Sequence, residues 1–271
     1  MKNKNLLFPL VLPVAVSVFL FVFCGSLGRL IAFSTLISIP FSMSEGIELK
    51  NKKYAQLSET EKGNLNCFAG AIWRFFEEYV TEADSFLPPD NVQETPVRKT
   101  AHRTSPTNIG LYLVSCLAAA DFAFITPAQL SDRLSDTLDT VERLEKYNGN
   151  LYNWYNTEDL SVLYPKYVST VDCGNFMCCL LALKQGLGEF ARNDSSFLTL
   201  ISRIQKLLDE CDLSFLYDKK RGLFHIGFDV SSEELTQSFY DLYISEARMT
   251  SFFNVAKRKV PVKHWQSLDR T

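Results

Sequence analysis

Two stretches of this chain, from about Asn108 to Phe124 and from Asp172 through "GNFMCCLLALKQGLGEF", are apolar around almost their whole circumference. A helix of that kind has no face for water and must be covered on every side. The neighbouring segments differ: the one opened by Thr126 and Pro127, placed as N-cap and first helical residue, and the one over Ser195 to Cys211 are amphipathic. Alternation of the two kinds, joined by long polar and aromatic loops, predicts a mainly α protein with two concentric helix layers. In such an α/α toroid the functional groups sit in loops at one end, where polar side chains escape the core. About six helices are readable after the N-terminus, roughly half of a complete six-hairpin ring.

Further elements follow from local signals. Ser58 and Glu61 form a capping box, and Leu65, Phe68, Ala69, Ile72, Trp73, Phe76 and Tyr79 recur at helical spacing on a face expected to be buried. The polar run from about Thr81 to Pro106 is longer than most connections. It ends in "RTSPTN", where Ser105 or Thr107 caps a helix that Pro106 starts; capping requires neither Arg103 nor Asn108. Between Tyr147 and Val171 the helical period disappears, which predicts irregular loop or a short hairpin, and the next helix is expected to start at Asp172 as its cap. "FLYDKKRGLFHIGFDV" predicts a β-hairpin turning at Lys219 to Gly222, and a last helix is expected over Glu233 to Lys257, capped by Ser231 or Ser232.

The first residues are of another kind. Lys2 and Lys4 precede an uncharged run from Leu6 to Gly28, and after Arg29 a second apolar run extends to about Met43. The first run is long enough to span a bilayer. It is too long for the apolar core of a signal peptide, and Phe23 stands before Cys24 where a lipoprotein signal needs a small residue. The expected organisation is one or two membrane helices within 1–44, a linker over 45–57 and a helical domain over 58–271. A net charge of −3 without an extended basic block excludes an electrostatic footprint for nucleic acid. Seven cysteines, Cys24, Cys67, Cys116, Cys173, Cys178, Cys179 and Cys211, lie mostly in apolar runs without metal spacing, as reduced thiols of a cytosolic compartment do. No metal or cofactor is expected: the three histidines are scattered, and no glycine-rich nucleotide loop or GxSxG elbow is present.

Three loop-to-helix junctions, "RTSPTN" at 103–108, "STVDCGN" at 169–175 and "SFYDLYISEAR" at 238–248, place hydrogen-bonding side chains beside apolar helices. "YNWY" at 152–155 adds aromatic faces. Sugars present C–H patches and many hydroxyls, so flat aromatics beside amides, carboxylates and Arg are what a carbohydrate site needs. The plainer roles are a packed lid for Trp154 and Tyr155, a helix cap for Asp172 and a surface ion pair for Glu246 and Arg248.

"WRFFEEYV", "FLPPDNVQETPV", "AHRTSPTNIGLYL", "YNWYNT", "YPKYVSTVDCGN", "LLALKQGL", "LYDKKRGLFHIGFDV" and "YDLYISEARMTSFF" run collinearly from Leu57 to Trp265. Together they resemble the first part of the glycoamylase-like region of cyclic β-1,2-glucan synthases. The resemblance implies the N-terminal part of an (α/α)6 toroid, transglycosylation on β-1,2-glucan, and a place in the bacterial inner membrane with the folded part in the cytoplasm. Matching motifs imply a sugar cleft lined by Arg103, Thr104, Asn108, Asn153, Trp154, Tyr155, Asp172, Asn175, Tyr240, Asp241 and Glu246. The family's "GHFYNWYDT" reads "GNLYNWYNT" here, so Asn150 and Asn156 replace a His and an Asp, and Cys173 stands within "VDCGN" where the family has Ser. Those changes are expected to weaken sugar contacts.

The family's catalytic glutamates belong to later segments, near a Gly-Thr-Met-Phe-Glu-Tyr motif that does not occur in this sequence. Glycoside chemistry needs two carboxyl groups across the scissile bond. The expectation is therefore a membrane-anchored fragment with exposed inner-helix faces, inactive unless complemented: either a truncated, decayed gene product or one piece of a split enzyme whose C-terminal half is separately encoded. The alternative is a non-catalytic module that holds glucan at the membrane.

Overall fold

Four of the long helices begin at a side chain that takes a free backbone N–H. The computed structural model describes residues 57–270, so the membrane helices expected within 1–44 and almost all of the linker lie outside the described residues. Among the described residues no helix is long and apolar enough to cross a membrane. Helix α1 spans Glu59–Tyr79. It opens on the expected box, with Ser58 N donating to Glu61 Oε2 at 2.8 Å and Glu61 N donating to Ser58 Oγ at 3.2 Å.

The buried face expected of α1 is a correction. Trp73 is buried and Phe76 packs on Tyr112 at 5.3 Å, but Leu65, Phe68 and Ile72 are 53%, 70% and 64% exposed. The domain covers only the last turns of the helix, where Arg133 also lies over the Trp73 ring.

Helix α2, Pro106–Asp121, starts as expected from Pro106 with Ser105 as cap, its Oγ accepting from Asn108 N at 3.3 Å. Helix α3, Pro127–Arg143, is capped by Thr126 in a reciprocal box with Gln129. Helix α4, Thr170–Phe190, has Ser169 as cap; Asp172, expected to hold that place, is the third helical residue and its N–H donates to Ser169 Oγ at 3.2 Å. Helix α5 covers Phe197–Glu210 and α6 covers Arg248–Ala256. The apolar α2 and α4 lie side by side, α3 and α5 pack on them as amphipathic partners, and α6 packs on the other flank of α4. This is the expected two-layer order. Glycine permits the closest approaches: a Cβ on Gly174 would stand 1.7 Å from Thr250 Oγ1, and one on Gly110 would stand 3.0 Å from the Cβ of Cys179. Leu111, Leu181 and Phe252, on α2, α4 and α6, are exposed, as expected for these helices.

The connections hold more β structure than the sequence announces. The long polar run contains strands β1 (Val92–Gln93), β2 (Lys99–Thr100) and β3 (Arg103–Thr104). The segment after Tyr147, expected as loop or short hairpin, folds into β5 (Asn150–Leu151), β6 (Asn153–Asn156) and the eight-residue β7 (Val162–Ser169), with β4 (Lys146–Tyr147) just ahead. The predicted hairpin forms from β8 (Tyr217–Asp218) and β9 (Leu223–His225), and Gly222 takes the left-handed φ of +72° its turn requires. Strands β10 (Gly227–Asp229), β11 (Glu234–Leu235) and β12 (Phe239–Tyr240) follow. Sheet order is β11-β10-β7-β6-β3 in the larger sheet and β12-β9-β8 in the smaller, with every pair antiparallel.

The helix expected over Glu233 to Lys257 therefore exists only from Arg248. Ser231 and Ser232 do not cap it; their N–H groups donate to Asp229 Oδ1 at 2.8 and 3.4 Å, and the chain turns back so that Glu234 pairs with Asp229. Strand pairing satisfies a run of backbone groups there that a helix would otherwise have to satisfy. Cys67, Cys116, Cys173, Cys178, Cys179 and Cys211 are all free thiols; Cys67 is exposed.

Candidate saccharide site

Two strands of the larger sheet lead straight into apolar helices: β3 into α2 across Ser105, and β7 into α4 at Ser169. The polar side chains at these joints are held near the helix starts by backbone pairing. Ser169 pairs with Gly227 and caps α4, while its Oγ–H donates to Asp172 Oδ2 at 2.7 Å. Asn153 Nδ2 donates to the same carboxylate oxygen at 2.8 Å. Asp172 is half-buried in the first turn of α4, where the helix dipole favours negative charge. The register of β6 against β7 shifts between Asn153 and Tyr155, the kind of irregularity that re-aims a side chain at a sheet rim.

Tyr240 of β12 belongs to the same cluster. Burial, with Glu246, Tyr167 and Asp172 nearby, pushes its hydroxyl up to about 12, so it remains a neutral hydrogen-bonding group at ordinary pH. Tyr167 shares a hydrogen bond of 2.9 Å with Thr236 Oγ1. Asn175 Nδ2 donates to Thr107 Oγ1 at 3.3 Å, joining the second turn of α4 to the first turn of α2.

Arg103 is held on two sides. Its Nε and Nη2 donate to Asp90 Oδ2 at 3.2 and 2.9 Å, and its guanidinium carbon lies 4.9 Å from the centre of the Trp154 ring. The stack keeps a half-buried indole beside a charged donor, a pairing suited to a pyranose face and its hydroxyls.

Two expected residues lie beneath the surface. Tyr155 is fully buried, its hydroxyl donating to Glu145 O at 2.6 Å and accepting from Tyr152 N at 2.8 Å, so it anchors the sheet. Thr104 is buried opposite it, paired across β3 and β6. Asp241 and Glu246 are exposed, and Asp241 O accepts from Asp269 N at 2.8 Å. The replacements at Asn150 and Asn156 also serve the backbone. Asn150 is fully buried and its Nδ2 donates to the carbonyls of Tyr147, Asn148 and Asp212; Asn156 Oδ1 accepts from Glu158 N at 2.8 Å.

Buried polar atoms without a partner among the described residues include Thr104 Oγ1, Asn108 Nδ2 and Asn153 Oδ1, all on residues expected to line the cleft. Leaving such an atom unpaired costs about 1–3 kcal/mol. Their gathering here marks a region not optimised for stability alone.

Sequence reasoning missed Asp90, Ser169, Tyr167 and a brace behind the cleft. In that brace His102 Nδ1 lies 2.8 Å from the buried Asp84 Oδ1, which also accepts from the Thr157 hydroxyl. Apart from Ser169, three residues before Asp172, each partner is distant in sequence, so no spacing signal exists. Among the described residues no group of His, Cys, Asp or Glu is arranged to hold a metal ion.

No protein-family model matches the chain. It is 29% identical over 336 aligned residues to the cyclic β-(1,2)-glucan synthase NdvB of Rhizobium meliloti (strain 1021), an alignment covering 79% of this chain and 12% of that protein. The chain resembles a cyclic β-1,2-glucan synthase. It thus spans about an eighth of that curated relative's length. Among solved structures, the endo-β-1,2-glucanase of Talaromyces funiculosus in complex with sophorose superposes with a TM-score of 0.58 at 14% identity, covering 79% of this chain and 51% of that one. The β-1,2-glucanase of Parabacteroides distasonis gives 0.59 at 14% identity over 74% and 28% of the two chains. The endo-β-1,2-glucanase of Chitinophaga pinensis with sophorotriose and glucose gives 0.53 at 16% over 66% and 42%. At these identities the likeness is one of fold.

Proposed function

We propose that this chain forms a β-1,2-glucan-holding wall of a glycoside-processing α/α domain, anchored to the inner membrane by its apolar N-terminus with the folded part in the cytoplasm. The observation that carries the reading is the Asn153–Asp172 hydrogen bond, one residue along β6 from the Arg103–Trp154 stack, at the start of an apolar helix. Further support comes from the likeness to a cyclic β-1,2-glucan synthase and from a fold shared with β-1,2-glucanases. The free thiols suit a reducing compartment.

Holding the sugar is favoured over cleaving it with this chain alone. Asp172 Oδ2 is engaged twice, by Asn153 and Ser169, which suits a positioning group better than a proton donor or nucleophile. The apolar side chains exposed on α2, α4 and α6 offer a face for a separately encoded half that would complete the ring.

The test is retention of linear β-1,2-glucan by the purified chain, followed by product sizing alone and after mixing with the C-terminal half of a full-length relative. Retention without cleavage, and cleavage on mixing, is expected. Absence of retention overturns the reading; cleavage by the chain alone overturns its restriction to holding.

A further inference from the structure

The basic residues look unremarkable in sequence because they are split between "DKKRG" at 218–222 and "KRKVPVK" at 257–263. The fold brings the two runs together. The β8–β9 turn supplies Lys219, Lys220 and Arg221, and the segment after α6 supplies Lys259 and Lys263, as walls of a cavity of about 330 Å³. No carboxylate lines it. Two acidic groups come near its cations, and both are at the limit of an ion pair: Asp218 is 4.0 Å from Arg221 Nε and Asp212 is 3.9 Å from Lys259 Nζ. Asp218 Oδ1 is moreover occupied by the N–H groups of Lys220 and Arg221 at 2.7 and 3.0 Å.

Five positive charges around one concave volume, on a chain whose net charge is −3, make a local positive field that attracts a multivalent anion. Four of the five are lysines, compact point charges on flexible stems that suit the spread negative charge of phosphate oxygens. Arg221 lies over an aromatic ring, its guanidinium carbon 4.6 Å from the centre of Phe239. The hydroxyls of Tyr217 and Ser267 add neutral polar groups to the lining. The volume lies at the small end of the range for ligand cavities, about 300–1,000 Å³, and suits a compact polyanion better than a polymer.

We propose that this cavity is an anion site for a phosphate group, carried on a small oligophosphate or presented by a lipid headgroup. It is separate from the saccharide site and does not depend on that reading.

The experiment titrates sodium tripolyphosphate calorimetrically into the full chain, held in a non-ionic detergent at low ionic strength. Saturable binding is expected, tighter than for inorganic phosphate and weakened by added salt. The double variant K220A/K263A is expected to weaken it at least tenfold, while K206A, on the exposed Lys206–Glu210 pair of α5, leaves it unchanged. Repeating the titration with phosphatidylglycerol in the micelles identifies the source: an unchanged affinity assigns a free ligand, and loss of tripolyphosphate binding assigns the headgroup. Absence of saturable binding in the pure detergent, or equal affinity in K220A/K263A, overturns the proposal. Circular dichroism of each variant separates loss of the site from loss of the fold.

Discussion

Asn153 and Asp172, nineteen residues apart, meet in a hydrogen bond of 2.8 Å that ties the rim of β6 to the first turn of α4. Removing the amide leaves a half-buried carboxylate with one side-chain partner, Ser169. N153A is expected to lower stability by about 1–3 kcal/mol and to weaken glucan retention. Urea unfolding and affinity electrophoresis on linear β-1,2-glucan measure the two effects. Full retention in a folded N153A protein would remove Asn153 from the site.

Trp154 is half-buried beside Arg103 and is not part of the sheet's interior. W154A is therefore expected to preserve the fold while weakening retention by roughly tenfold, about 1.4 kcal/mol. W154F, which keeps a ring, should recover part of it. A thermal midpoint displaced as far as the affinity would show that the indole serves packing.

Two histidines act on stability in opposite directions of pH. His264 is fully buried, with Nδ1 2.7 Å from Gly222 O and Nε2 2.8 Å from Ser251 Oγ. Burial pulls its affinity for a proton down, against the smaller opposing effect of the Gly222 carbonyl. The unfolded chain then binds more protons, so stability falls as pH drops below the ordinary imidazole value of about 6.5. His102 is pulled the other way, chiefly by its hydrogen bond to Asp84. Its contribution is complete below about 6.5 and is lost as pH rises through the raised folded value. Urea midpoints from pH 5 to 8 should show H264Q losing less stability than the parent on acidification, and H102Q losing less on the alkaline side. Parallel curves for parent and variants would refute both assignments.

Gly174 admits no side chain, because its Cβ would coincide with the Thr250 hydroxyl, which donates to Thr170 O at 2.8 Å. G174A must push α6 away from α4. Overpacking of this kind costs about 1–3 kcal/mol, read as a lower thermal midpoint. An unchanged midpoint would mean that the two helices yield more easily than their contact suggests.

The helical layers were legible in the sequence because an all-apolar circumference and an amphipathic stripe are local properties of a segment. Caps at Ser58, Ser105 and Thr126 were legible for the same reason. The strands were not. β6 and β7 are aromatic and polar by turns, and what makes them strands is pairing with β3 and β10, segments up to 62 residues away in the chain. The same holds for the site: Asn153, Trp154 and Asp172 were named from their types, whereas Asp90 acquires its role only through contact with Arg103. The buried stripe assigned to α1 failed because periodicity reports that a face is apolar and not what covers it.

Ser169 is the last rung of the β7–β10 ladder and the cap of α4 at once. The height of Asp172 above the sheet is therefore counted off by backbone rungs, as marks on a ruler, and a slip of one rung would turn Ser169 and its neighbours to the wrong face. Side chains around such a ruler can drift while the spacing persists. That is how Cys173 can stand where the resembling family has Ser without moving the carboxylate of Asp172 beside it.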